Sequence, residues 1–136
     1  MTEPFLARLP KGEDLLDALT QVFRDRRVTK ASFSLIGAVT RAVVSYYDQA
    51  AHEYKEREFE GPLEVLSCIG NVSEKEGEVF VHAHVVLGTE DYGCVGGHLM
   101  PGTIIFAAEL HGIPAPGTVP VREFDEATGL ALWSKT

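Results

Sequence analysis

One stretch of this chain carries a clear helical period, and most of the residues after it carry the period of a strand. Leu15, Leu16, Leu19, Val22 and Phe23 recur at the spacing that gathers side chains on one face of a helix. Lys11-Gly12-Glu13-Asp14 should open that helix, with acidic groups at its positive end, and the arginines at 24–27 should close it. From Ala31 the pattern changes. Ala31, Phe33 and Leu35 alternate with Ser32 and Ser34, which predicts a half-buried strand ending near Gly37. Further strands are expected at 4–9, 41–48, 63–72, 78–87 and 103–110. The polar residues 49–60 read as a hairpin tip followed by a charged edge strand. Residues 71–77 read as a polar turn, 88–97 as a glycine-rich turn, 111–120 as a proline-rich loop, and 121–133 as a terminal strand or hairpin.

A doubly wound fold needs a helical pattern between most of its strands, and none is present here. The expected class is therefore α+β: a mainly antiparallel sheet with one clear N-terminal helix and few others. No repeat, low-complexity tract or linker interrupts residues 1–136, so one domain is expected. Hydrophobic residues at 45% and charged residues at 24% suit a globular domain.

Charge narrows the function classes. Twelve basic against twenty acidic residues leave a formal −8. Nucleic-acid binding rests on neutralising phosphates with Lys and Arg, so an acidic chain needs a local basic patch to achieve it. The one candidate patch is Arg24, Arg26, Arg27 and Lys30, and cations at a helix C-terminus, favoured there by the helix dipole, are its preferred explanation. The apolar runs are too short to span a bilayer. The opening Met-Thr-Glu-Pro-Phe lacks a basic region followed by an apolar stretch, which predicts a cytoplasmic location, with Cys68 and Cys94 reduced rather than paired.

Chemistry concentrates in the histidines. In a strand, residues i and i+2 share a face, with Cα atoms about 6.6–7 Å apart, so His82 and His84 can converge on one ion. His98 follows Gly96-Gly97, a pair expected to turn the backbone back toward that strand. Three neutral imidazoles would leave a fourth position open, as in catalytic zinc sites. The competing reading is a polar strand face with no ligand role. Zinc is the first expectation, with other divalent transition metals also accepted by imidazole, and binding should weaken as pH falls through about 6.5. Glu109 and Glu64 are the candidates for a proton carrier, and Glu109 also for a carboxylate supporting a ligand. Arg41 is either an anion contact or a cation lying along a strand start. His52 and His111 read as surface or loop residues. No phosphate-binding glycine loop and no nucleophile elbow occur.

Taken together, Val81-His82-Ala83-His84-Val85-Val86-Leu87-Gly88, Gly96-Gly97-His98-Leu99 and Gly102-Thr103-Ile104-Ile105 resemble the core signature of the plants-and-prokaryotes-conserved (PPC) domain. Leu9-Pro10-Lys11-Gly12-Glu13-Asp14, Ser34-Leu35-Ile36-Gly37-Ala38-Val39 and Tyr46-Tyr47-Asp48 match its N-terminal half. The resemblance implies a free-standing α+β domain that assembles into a homotrimer. Plant members follow a basic AT-hook, and prokaryotic members are often labelled DNA-binding by analogy. No Arg-Gly-Arg-Pro run occurs here, which with the net charge of −8 predicts weak or no direct DNA binding. Gly61-Pro62-Leu63-Glu64-Val65-Leu66 replaces the plant partner-contact segment Gly-Arg-Phe-Glu-Ile-Leu, so that partner role is not carried over. The fold also resembles that of α-acetolactate decarboxylase, whose zinc-binding histidines would correspond to His82, His84 and His98. Three function classes remain open: a trimeric module binding a metal or a small molecule, with a small anion at the metal as one candidate ligand, a DNA-associated regulator, or a metal-dependent lyase or hydrolase acting on a small anionic substrate.

Overall fold

The helical stretch forms α1, Leu15–Asp25, in a computed structural model that describes residues 3–134. Asp14 starts it. One carboxylate oxygen accepts from the Asp17 amide at 3.0 Å, filling the first turn's need for an acceptor, and the other accepts from the Gly102 amide at 2.6 Å. Leu15, Ala18, Leu19 and Phe23 are buried. Phe23 meets the rings of Phe5 and Phe33 at 5.7 Å each, which fixes the helix against one face of the sheet.

That sheet contains β1 (Phe5–Leu9), β2 (Ala31–Asp48), β3 (Glu53–Lys75), β4 (Glu78–Gly88), β5 (Cys94–Leu99) and β6 (Ile104–Pro114), in the order β1-β6-β2-β3-β4-β5. β7 (Arg122–Asp125) and β8 (Leu130–Trp133) form a separate hairpin. Every ladder is antiparallel, so the class is α+β as expected. β5 pairs with β4 on one side and with β2, at Val44 and Ser45, on the other, so the far end of the sheet curls closed. Among the described residues no helix is long and apolar enough to cross a membrane.

Several strand boundaries differ from expectation. β2 runs unbroken through Gly37, its pairing adjusted by register shifts between Leu35 and Gly37 and between Val39 and Arg41. A Cβ at Gly37 would lie 2.0 Å from the Ala107 carbonyl oxygen, so this glycine marks a close strand approach, not a strand end. β3 likewise joins the charged segment to the apolar one. The turn expected at 71–77 shrinks to Glu76-Gly77, both at positive φ (53° and 78°), as a tight hairpin turn requires. The loop expected from His111 begins only after Pro114, because β6 continues to pair with β1 and β2. The terminal hairpin is present.

Opposed residues in an antiparallel pair share a face. The inner face carries Phe33, Leu35, Ala83 and Val85, all buried with the helix in one core. The outer face carries a row that crosses every strand of the sheet: Leu6, His111, Ser34, Ile69, His84, His98 and Ser45.

Candidate metal centre

The histidines belong to that outer face. β4 places His82 and His84 two residues apart on it, and β5 lays His98 directly across from His84. The ring centroids are 5.1 Å apart for His82–His84, 4.9 Å for His82–His98 and 5.7 Å for His84–His98. One nitrogen from each ring lies within 4.8 Å of the other two. A tetrahedral ion held at about 2.0–2.1 Å separates its nitrogen donors by about 3.4 Å, so small ring rotations close the triangle.

His98 reaches this position by a different route from the one expected. Gly96 and Gly97 are not a turn; they lie within β5, while the turn occupies 89–93. A Cβ at Gly96 would sit 2.3 Å from the Val85 carbonyl oxygen, and one at Gly97 would sit 2.7 Å from that of Ser45. The two glycines let β5 fit between β4 and β2, and that insertion delivers His98.

Burial tunes two of the rings. It pushes the His82 imidazole down to about 4, with His98, Arg122 and His84 adding repulsion against a proton. Burial also holds His98 below the ordinary imidazole value, followed by His84 and Arg122. Neutral imidazole is the metal-binding form, so proton competition at His82 sets in well below the 6.5 expected from the sequence. Ser45 lies across from His98 on β2, and its buried hydroxyl has no hydrogen-bond partner among the described residues. Ligating histidines commonly donate their second ring N–H to an oxygen acceptor. The donor set and this spare hydroxyl both fit a metal.

A cleft of about 370 Å³ opens beside His82 and His98, walled on its other side by the β7–β8 hairpin. Arg122 pins that hairpin to the sheet, donating to Ser73 Oγ (3.1 Å) and Asn71 Oδ1 (3.0 Å) and to the Ala131 carbonyl (3.0 Å). The Tyr54 ring lies 5.1 Å from His98. Sequence reasoning misses Arg122, Lys75 and Tyr54; an arginine in an otherwise acidic and apolar tail is the available signal. A larger cleft, about 530 Å³, lies between β1, β2 and β6 and shares no lining residue with this one.

Glu109 and Glu64 do not join the site. Both are exposed, and both line a shallow groove beside Ile36 and Phe106 on the outer face, while neither lines the histidine cleft. Arg41 lies within β2 and donates to the Glu58 carboxylate. His52 is exposed in the β2–β3 turn, and His111 is exposed on β6 rather than in a loop. Cys68 is buried, its thiol pushed up to about 12 by that burial, Cys94 is exposed, and both are free.

The model of the Plants and Prokaryotes Conserved (PCC) domain matches residues 1–111. The chain belongs to this family. Among solved structures, the PCC chain is similar to a metal-containing protein of Archaeoglobus fulgidus, with 43% identity, 98% of this chain and 94% of that one covered, and a TM-score of 0.93. It is similar to a plant- and prokaryote-conserved protein of Pyrococcus horikoshii, with 36% identity, coverage of 98% and 92%, and a TM-score of 0.93. A candidate DNA-binding protein of Bacteroides thetaiotaomicron shares the fold at 19% identity, with coverage of 98% and 93% and a TM-score of 0.89. No curated protein matches the PCC chain.

Proposed function

We propose that this PCC domain binds one divalent transition metal, zinc foremost, through His82, His84 and His98, and works as a homotrimeric binding module for a small ligand at that metal. The carrying observation is the convergence of three ring nitrogens, from two strands, within 4.8 Å. The 43%-identical relative being a metal-containing protein supports the same reading. Three protein ligands leave a coordination position for water or an anion, and the metal would polarise whatever binds there. A lyase or hydrolase would also need a proton carrier, and the two glutamates considered for that role lie outside the cleft.

The trimer reading rests on the outer face. Leu6, Ile36, Leu66, Ile69 and Phe106 are each at least half exposed there, from 50% to 79%. A contiguous apolar face of this kind marks an interaction surface. The DNA-associated reading finds less support. Arg24 bonds Glu78, Arg26 lies over the Phe5 ring at 4.4 Å, and Lys30 donates to the Gly117 carbonyl, so three of the four cations of the basic cluster are engaged within the fold.

Cobalt(II) substitution tests the metal assignment directly. Binding at the three imidazoles should give the strong visible absorption of a four-coordinate ion, reversed by excess zinc and absent in His98→Ala. A weak spectrum typical of hexaaqua cobalt, unchanged by the protein, would refute it.

A further inference from the structure

The cleft beside the histidines has a charge pattern opposite to that of the whole chain. The protein carries 20 acidic and 12 basic residues, yet no Asp or Glu lines this cleft, while Lys75 and Arg122 both do. Both cations lie 5.1 Å from the Phe80 ring centroid. Neither takes part in an ion pair among the described residues. The guanidinium uses three of its five N–H donors on Ser73, Ala131 and Asn71, which leaves one on each terminal nitrogen. Two like charges held beside one ring without a carboxylate are an arrangement that a bound anion relieves.

The remaining walls are apolar. Phe80 forms one side, and Leu130, Ala131 and Leu132 of the hairpin form the other, beyond the 111 residues matched by the family. The volume, about 370 Å³, lies in the range of small-ligand pockets. Water or an inorganic anion alone would leave the apolar walls poorly covered, whereas an organic anion matches both parts of the lining.

We propose that this cleft is a binding site for a small organic carboxylate with an apolar body, its charge held by Lys75 and Arg122 and its body between Phe80 and the hairpin. The proposal deepens the metal reading by naming the class of ligand that shares the site, and its charge contacts do not depend on the metal.

Calorimetric titration with 3-phenylpropionate, and with its neutral amide, tests it on zinc-loaded and chelator-treated protein. Saturable binding of the carboxylate is expected in both forms. It should be weakened at least about tenfold by Lys75→Gln and by Arg122→Gln, as loss of a charge-assisted contact implies. The amide should bind wild type at least about tenfold more weakly than the carboxylate. Because Arg122 also pins the hairpin, Lys75→Gln decides the matter if Arg122→Gln does not fold. Equal affinity in wild type and Lys75→Gln, or no saturable binding to zinc-loaded wild type, would overturn the cleft proposal and leave the metal reading standing. Lysine-dependent binding by a protein that retains no zinc would uphold the cleft and remove the metal.

Discussion

At the scale of single residues, the candidate site is three imidazoles, two of which, His82 and His98, burial holds below the ordinary imidazole value. An unfolded chain protonates His82 near 6.5, whereas burial in the fold delays protonation to about 4. Between those values the unfolded state binds a proton that the native state refuses, so stability of the metal-free protein falls as pH drops through that window. His82→Asn removes this contribution. The metal-free wild type should therefore lose stability more steeply than His82→Asn in urea unfolding followed between pH 7 and 4. Parallel pH dependences would show that His82 is not the group concerned. The three histidines of the candidate centre are legible in the sequence because a period of two puts His82 and His84 on one face and His98 follows close behind. The Lys75–Arg122 pair is not legible, since those residues meet only when the hairpin folds back over β3 and β4. Glu64 and Glu109 stand out by chemistry alone, and strand alternation turns them toward the exposed groove.

At the scale of elements, the helix and the strand character are readable, but strand continuity is not. Glycine within a run looks like a break, yet Gly37, Gly96 and Gly97 stand where neighbouring backbone leaves no room for a Cβ. Polar residues at 71–75 resemble a turn because their outward side chains pack under the hairpin rather than in the core: Asn71 and Ser73 both accept from Arg122. Asp14 joins two elements, capping α1 and holding the Gly102 amide ahead of β6. Asp14→Ala removes both contacts and should cost about 0.5–2 kcal/mol, the usual range for a lost helix cap. A shift in urea midpoint measures it. No change in midpoint would mean that water replaces the carboxylate at both amides without loss.

At the scale of the whole molecule, one face of the sheet is covered by α1 and the core, while the other, among the described residues, is covered only at its histidine end by the β7–β8 hairpin. The uncovered part, around Ile36, Leu66 and Ile69, is where copies of the chain would meet. Light scattering at low micromolar concentration should give a mass near three chains, and Ile69→Arg should reduce it. A monomeric wild type would sink the trimer. Three chains at −8 apiece carry −24, so repulsion should keep duplex DNA bound weakly near physiological salt. The central claim, however, is the metal. Elemental analysis of purified protein, dialysed without chelator, should find about one zinc or similar divalent ion per chain in wild type and in His52→Ala, and far less in His84→Ala and in His98→Ala. Negligible zinc, nickel, copper, iron and manganese in wild type, or full occupancy in both ligand variants, would contradict the account.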